Sequence, residues 1–244
     1  MPDGRSALYL IAGGRGLDRT RGPDPLVQAV LRRTGVRRPK VAYVGAASGD
    51  NAAFRLLIER MLEKAGAGQV ALAPLCGRRA DLEKAKAVLE AADIAFISGG
   101  DVEEGMRIVR QEGMIPFLKR LHRRGMPFFG VSAGSIMLAR RWIRWADPRD
   151  DDSAELFSCL GFAPVLCDTH GEGERWAELR AALVLSPVGA TGYGIVSGAA
   201  MVVEADGSVA ALGGEVNVFR RRTSGVAQVA SLAPAPTERN PAAR

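Results

Sequence analysis

Short apolar runs alternate with segments of helical periodicity along the chain up to about residue 140. Runs of four or five apolar residues are typical of buried parallel strands, and apolar positions three and four residues apart are typical of amphipathic helices. This alternation predicts an α/β fold with a mostly parallel sheet, helices on both faces and a site at the strands' carboxyl ends. The predicted strands are Ala7 to Ile11, Val41 to Val44, Val70 to Ala73, Ile94 to Ile97 and the run that begins at Pro127.

Capping signals mark the start of two helices in this part of the chain. Asp24 precedes a proline at the first helical position, and Asp101 with Glu104 has the spacing of a capping box. Another helix is expected after Ser132, and the segment Arg140 to Trp145 is expected to form its amphipathic end.

The last third of the chain shows short strand patterns in place of that alternation. Several of these strands are expected to pair as antiparallel hairpins at one sheet edge, with a turn at Asp206-Gly207. We expect one domain over residues 1–232, followed by a disordered Ala- and Pro-rich tail over residues 233–244. The strand patterns are Val165 to Cys167, Gly194 to Val196, Met201 to Glu204, Val209 to Leu212 and Val216 to Phe219.

Composition narrows the class of protein. A chain of 244 residues with 47% hydrophobic positions can bury a full core as a single domain. It has no apolar run of about 18 residues and no signal-peptide pattern, so we expect a soluble, cytoplasmic protein without a membrane partner. The 3 cysteines lack Cys-x-x-Cys spacing, which argues against a disulfide framework and a zinc site.

The formal charge of +6 does not point to a nucleic-acid partner. The basic residues are scattered among acids, as on an ordinary solvated surface. The densest cluster, Arg140 to Trp145, interleaves arginine with tryptophan as a nucleic-acid platform would, but a helix end with aromatic core contacts explains it at least as well.

The segment Gly130-Val131-Ser132-Ala133-Gly134 has the spacing of a nucleophile elbow, a tight turn between a strand and a helix. Such a turn holds its serine in a strained conformation and exposes the hydroxyl at the strand's carboxyl end. Ser132 is therefore the candidate nucleophile. The alternative is a glycine-rich turn with an idle serine.

A serine nucleophile needs a base, and the chain has 2 histidines. His170 follows a short predicted strand and should lie at the same sheet edge as Ser132, which makes it the candidate base. His122 belongs to a basic helix and is expected to be exposed on the far side of the sheet. Backbone N–H groups of Ala133 and of Gly99-Gly100 could stabilise an oxyanion; a plain tight turn is the alternative interpretation of Gly99-Gly100.

Four segments appear in an order and spacing that resemble the S51 serine peptidases, the dipeptidase E and cyanophycinase group, over roughly residues 7 to 215. The resemblance implies a class I glutamine amidotransferase-like three-layer fold and a serine nucleophile. It further implies hydrolysis after aspartate in dipeptides or β-aspartyl peptides, with no metal or cofactor. The segments are Val41 to Ala47, Phe96 to Asp101, Gly130 to Gly134 and Asp168 to His170.

The same resemblance implies a role for individual residues. Ser132 matches the nucleophile and His170 the base. Arg175 resembles the arginine that grips the substrate's acidic side chain, a task suited to a guanidinium, although it could also be a surface arginine. The remaining matches are Gly100 and Ala133 as oxyanion donors, with Gly99 and Asp101 as further substrate-binding residues.

The chain departs from the family pattern at the third catalytic member. Ser197 stands where the family usually has a glutamate, and an acid there would orient the imidazole. Asp147, 15 positions after Ser132, is the candidate replacement; Ser197 itself or no residue at all are the alternatives. Gly171 also replaces the usual aromatic residue after the histidine.

The sequence therefore predicts a serine peptidase that cleaves a peptide or isopeptide bond next to an acidic residue. Its expected partner is a small acidic peptide substrate, and a homodimer is left open. Two other readings stay open. One is a non-catalytic ligand-binding relative that has lost its acid, and the other is an esterase of the α/β-hydrolase kind. Against the esterase, 74 residues follow His170, whereas that fold usually places its histidine near the carboxyl end.

Overall fold

The structure of the protein is a computed structural model, and it describes residues 6–13, 22–147 and 149–234. The strands of these residues are β1 (Leu8–Ile11), β2 (Lys40–Val44), β3 (Gln69–Ala73), β4 (Ile94–Ile97), β5 (Phe128–Val131), β6 (Arg141–Trp145), β7 (Ala154–Ser158), β8 (Leu166–Thr169), β9 (Thr191–Ile195), β10 (Ala200–Val203), β11 (Val209–Leu212), β12 (Val216–Arg222) and β13 (Gly225–Leu232). The helices are α1 (Pro25–Arg32), α2 (Ala52–Lys64), α3 (Leu82–Glu90), α4 (Val102–Gln111), α5 (Ile115–Arg123), α6 (Ala133–Leu138) and α7 (Ala177–Val184).

The central sheet has seven strands in the order β11-β10-β1-β5-β4-β2-β3. Strands β1 to β5 are parallel to their neighbours among themselves, and β10 and β11 add an antiparallel edge. Parallel strands need both faces covered, which explains why they appear as near-continuous apolar runs in the sequence. The predicted α/β fold with a mostly parallel sheet is confirmed.

Alternate residues of each strand enter two separate cores. In β1, Leu8 and Leu10 pack on one face of the sheet, whereas Tyr9 and Ile11 pack on the other. Apolar residues of α1 and α2 cover the face of Tyr9, and those of α3, α4, α5 and α6 cover the opposite face. The result is the three-layer arrangement that the family resemblance implied.

The capping signals predicted the starts of α1 and α4 correctly. An oxygen of Asp24 accepts hydrogen bonds from the N–H groups of Leu26 and Val27 at 2.8 and 3.1 Å. The Asp101 carboxylate accepts from the N–H of Glu104 at 2.8 Å. Each cap satisfies N–H groups that have no partner within the helix.

The carboxyl-terminal strands form more than the expected sheet edge. Only β10 and β11, joined by the predicted turn at Asp206-Gly207, extend the central sheet. Strands β8, β9 and β12 form a second sheet with β13, in the order β13-β12-β9-β8. Strand β13 carries no clear alternation of buried and exposed residues, and the sequence pattern missed it. Of the predicted tail, residues 235–244 lie outside the described residues, and Pro234 forms a bridge to Ala211.

The prediction that Arg140 to Trp145 prolongs the helix after Ser132 is wrong. Helix α6 ends at Leu138, and β6 pairs antiparallel with β7 as a separate hairpin. Tryptophan and isoleucine pack well on a pleated surface, so this segment favours a strand once a partner is present. Trp142 and Ile143 are buried there.

The expectation that His122 is exposed is also wrong. Its side chain is 5% exposed and stacks on Phe162, with ring centroids 4.7 Å apart. The buried residues of α5 are Phe117, Leu118, Leu121 and His122, so the histidine continues the apolar stripe of the helix. Within the described part of the chain, no helix is long and apolar enough to span a membrane.

Candidate active site

Ser132 occupies the turn between β5 and α6, at the carboxyl end of a strand in the middle of the central sheet. Its backbone has φ +54° and ψ −123°, a region that non-glycine residues rarely adopt. The N–H of Ser132 donates to the carbonyl of Ile11 at 2.9 Å, which anchors the turn to neighbouring β1. The strained conformation is typical of a nucleophile elbow.

The two glycines around Ser132 are required by close backbone contacts. A Cβ at Gly130 would lie 2.4 Å from the carbonyl carbon of Gly134. A Cβ at Gly134 would lie 2.1 Å from the carbonyl oxygen of Ile97 in β4. Both distances are far below van der Waals contact, so the elbow can form between β4 and β5 only with glycine at these positions.

The structure brings His170 to Ser132, although the two residues come from different sheets. His170 follows β8 of the second sheet, and its Nε2 lies 2.8 Å from the Oγ of Ser132. The N–H of His170 donates to the carbonyl of Ile195 at 3.0 Å, which holds the histidine backbone at the end of β9. The distance is within hydrogen-bond range, as expected of a nucleophile and its base.

Gly99 lies directly beside the serine, and Gly100 follows Gly99 in the chain. A Cβ at Gly99 would be 3.4 Å from the Cβ of Ser132. Gly100 has φ +142°, and a Cβ there would lie 2.0 Å from the carbonyl oxygen of Ala47. Among the described residues, the N–H groups of Gly100 and Ala133 have no acceptor, so both are available to an oxyanion.

The loop that follows His170 is held in a strained conformation. Among the non-glycine residues described, five have positive φ, and three of them are His170, Arg175 and Trp176. The indole of Trp176 is buried against Gly194, and the backbone N–H of Trp176 donates to the carbonyl of Gly171 at 2.8 Å. This anchor leaves the side chain of Arg175 exposed on the loop, without a hydrogen bond or ion pair to any described residue.

The structure brings neither Asp147, predicted as the third catalytic member, nor Asp101, predicted as a substrate-binding residue, into hydrogen-bond contact with the histidine. Asp147 lies after β6, is half exposed, and its carboxylate accepts a hydrogen bond from the N–H of Arg149 at 3.0 Å. Asp101 uses its carboxylate to cap α4, while its own N–H donates to the carbonyl of Ala47 at 2.8 Å. Neither carboxylate has a hydrogen bond to His170 among the described residues.

Glu172 is a residue near the histidine that sequence reasoning missed. Its carboxylate accepts a hydrogen bond from the N–H of Ser197 at 3.0 Å. Partial burial alone would raise the pKa of Glu172, but the hydrogen bonds from Ser197 and the nearby His170 lower it below its ordinary value. Its position two residues after the candidate base was the one sequence feature that could have indicated it. The hydrogen bond to Ser197 becomes visible only in the folded chain.

A second carboxyl group, Asp168, is buried under this loop. It is 7% exposed, and one of its oxygens accepts a hydrogen bond from the N–H of Thr169 at 2.7 Å. Burial raises the pKa of Asp168 to about 7, and the nearby carboxylates of Glu178 and Glu174 add to that rise. Desolvation disfavours the charged form, so this carboxyl group keeps its proton at mildly acidic pH.

The fold and the geometry of the site agree with one known family. A sequence model of peptidase family S51 matches residues 8–210. The chain belongs to peptidase family S51. Membership of this family supports a peptidase role and confirms the resemblance on which the sequence reasoning relied.

Two solved structures share the fold of this S51 protein. One is a peptidase from an acI-B1 Actinobacterium, with a TM-score of 0.64 and 14% identity, over 94% of this chain and 97% of that one. The other is a putative peptidase E protein from Listeria monocytogenes, with a TM-score of 0.61 and 15% identity, over 85% and 98% of the two chains.

The chain also matches subunits of pyridoxal 5′-phosphate synthase in sequence. The pyridoxal 5′-phosphate synthase subunit PdxT of Geobacillus stearothermophilus is 28% identical over 134 residues, which are 55% of this chain. The same subunit of Geobacillus thermodenitrificans is 26% identical over 137 residues. The chain spans 63% and 65% of the length of these two relatives.

Proposed function

We propose that this S51 protein is a serine-type peptidase in which Ser132 is the nucleophile and His170 the general base. The observation that carries the proposal is the 2.8 Å contact between the Oγ of Ser132 and the Nε2 of His170. The strained backbone at Ser132 and the free N–H groups beside it support the same assignment.

The proposed reaction starts with the proton of the Ser132 hydroxyl. His170 accepts it at Nε2, for which the neutral imidazole must carry its own proton on Nδ1. The Oγ bonds to the carbonyl carbon of the substrate, and the carbonyl electron pair moves to the oxygen, which faces the N–H groups of Gly100 and Ala133. His170 then protonates the leaving nitrogen as the C–N bond breaks, and water releases the acyl group by the same steps.

The proposed substrate is a small peptide or isopeptide with an acidic residue on the acyl side of the scissile bond. Arg175 supports this proposal, because its exposed guanidinium lies on the same loop as His170 and has no partner among the described residues. A guanidinium can pair with a carboxylate through two parallel, charge-assisted hydrogen bonds.

Labelling with a fluorophosphonate probe tests the nucleophile. The probe reacts with an activated serine hydroxyl, so we expect a single adduct, on Ser132, when the labelled protein is digested and mapped by mass spectrometry. Heat-denatured protein is the control and should not be labelled. An adduct on another serine would contradict the assignment, and a folded protein that resists labelling would favour the non-catalytic, ligand-binding reading.

Substitution of Arg175 tests the substrate. Arg175→Met should remove most of the preference for aspartyl over asparaginyl peptides in kcat/KM, because an unpaired substrate carboxylate loses its partner. Arg175→Lys keeps the charge without the planar fork and should retain part of the preference. Probe labelling of Ser132 should survive in both variants. An unchanged preference in Arg175→Met would remove this residue from the substrate site.

A further inference from the structure

His170 lacks the partner that a catalytic histidine normally has on its second ring nitrogen. Among the described residues, Nε2 contacts Ser132 and no group accepts a hydrogen bond from Nδ1. An imidazole that takes up a proton during catalysis needs a nearby negative charge to orient it and to stabilise its charged form. The proposed mechanism therefore requires a carboxylate close to this ring.

Glu172 and His170 are attached to the same stretch of backbone. The N–H of His170 donates to the carbonyl of Ile195 at 3.0 Å, and the carboxylate of Glu172 accepts from the N–H of Ser197 at 3.0 Å. The two hydrogen bonds are two positions apart on each segment, from His170 to Glu172 and from Ile195 to Ser197. They therefore follow the parallel register in which β8 pairs with β9. This arrangement holds the Glu172 carboxylate on the same backbone segment as the histidine, where the nearby His170 lowers the pKa of Glu172.

Ser197 is the position at which family S51 resemblance predicts a glutamate. In this chain the serine has no charge, but its N–H binds a carboxylate that arrives from the neighbouring segment. The carboxylate at the end of β9 thus comes from Glu172, on the segment that follows β8, and not from position 197 itself. The pKa of Glu172 remains below its ordinary value despite partial burial, so the carboxylate is charged at neutral pH.

We propose that Glu172 is the positioning carboxylate of this site and takes over, from the other strand, the task of the missing glutamate at Ser197. The inference rests on the proposed Ser132 and His170 mechanism. Glu172 acts through the imidazole, which it orients and whose positive charge it stabilises during turnover. Asp147 is the competing candidate, since it was predicted for the same task.

Other ionisable groups surround this loop and have to be separated from Glu172. Asp168 lies beneath it, and the carboxylates of Glu178, Glu174 and Glu172 all raise the pKa of Asp168. Arg175 follows in the same turn, with its side chain exposed. Glu174→Gln is therefore the matched control, because it removes one negative charge from the same turn of the loop.

The decisive variant is Glu172→Gln, which preserves the shape of the side chain. We expect kcat to fall about a hundredfold, as the loss of an orienting acid does elsewhere, and the acidic limb of the kcat/KM profile to move to lower pH. Glu174→Gln should leave both quantities close to wild type. In Glu172→Gln/Ser197→Glu, a carboxylate at the family's own position should restore at least part of kcat.

The result that would overturn the proposal is an unchanged kcat and pH profile in Glu172→Gln. A large loss in Asp147→Asn with no loss in Glu172→Gln would assign the task to Asp147 instead. Circular-dichroism melts identify a variant that has merely lost its fold. Recovery of kcat in Glu172→Gln/Ser197→Glu would show that the Glu172→Gln loop is intact, because a misfolded loop would not regain activity when a second residue is changed.

A measurement that needs no turnover separates this proposal from the proposed function. With 2 histidines in the chain, NMR can follow the His170 ring directly after assignment with a His170→Gln variant. The titration midpoint of this ring should lie about half a pH unit or more lower in Glu172→Gln, and unchanged in Glu174→Gln. An unlabelled Ser132 with this shift present would refute the peptidase mechanism alone. Equal midpoints in wild type and Glu172→Gln would refute the role of Glu172.

Discussion

Ser132→Ala is expected to lower kcat for peptide hydrolysis by about 10⁴-fold or more. The substitution removes the oxygen that attacks the carbonyl carbon in the proposed mechanism, and no described side chain other than Ser132 has a hydrogen bond to the Nε2 of His170. The residual activity should come from substrate binding and the N–H groups of Gly100 and Ala133, which still stabilise an oxyanion. Alanine also fits the elbow, because the turn tolerates a Cβ at this position.

The double variant with His170→Ala makes this test sharper. Nucleophile and base act as a unit, so each single variant and the double variant should lose similar activity rather than multiply their losses. Ser208→Ala, in the turn between β10 and β11, is the matched control and should be fully active. If Ser132→Ala kept more than about a tenth of the wild-type kcat, the nucleophile assignment would be wrong.

Asp168→Asn is expected to raise the free energy of unfolding at pH 8 by about 4 kcal/mol, since one pKa unit is worth about 1.4 kcal/mol. Burial raises the pKa of Asp168 from 3.8 to about 7 in the folded protein. Between these two values the folded state holds a proton that the unfolded chain has released, so the wild type loses stability as the pH rises. Asparagine cannot ionise, and its oxygen can still accept the hydrogen bond from Thr169.

Urea denaturation of both proteins between pH 4 and pH 8 provides the measurement. The two free energies of unfolding should differ least at pH 4, where Asp168 is protonated in the folded state and only partly ionised in the unfolded chain. The gap should open as the pH rises and level off above pH 7. A difference that stayed constant across this range would show that Asp168 ionises normally in the folded protein.

Much of the fold depends on interactions between residues that are close together in the sequence. The apolar runs of β1 to β5, the caps at Asp24 and Asp101, and the elbow at Ser132 all depend on residues only a few positions apart. Periodicity, capping and glycine conformation act over this range, so the sequence alone predicted the parallel sheet and the strained turn at Ser132.

Other features depended on partners that are distant in the chain. Segment Arg141–Trp145 becomes a strand because β7 pairs with it, although its tryptophans suit a helix face equally well. His122 is buried because Phe162 and Phe128 surround its ring, while its basic neighbours in the sequence suggested exposure. The polarity of neighbouring residues wrongly predicted an exposed His122, because packing between elements determines burial.

The candidate site also has features that depend on nearby residues and features that depend on residues distant in the chain. Nearby residues alone indicated that Ser132 lies in a strained turn and that His170 follows a strand. The packing of distant segments makes β8 and β9 part of a second sheet, which brings His170 to Ser132 and places Glu172 on the N–H of Ser197. Periodicity records which face of an element is buried but not which element covers it. Contacts made across 38 and 25 positions of the chain are therefore set by the packing of the two sheets.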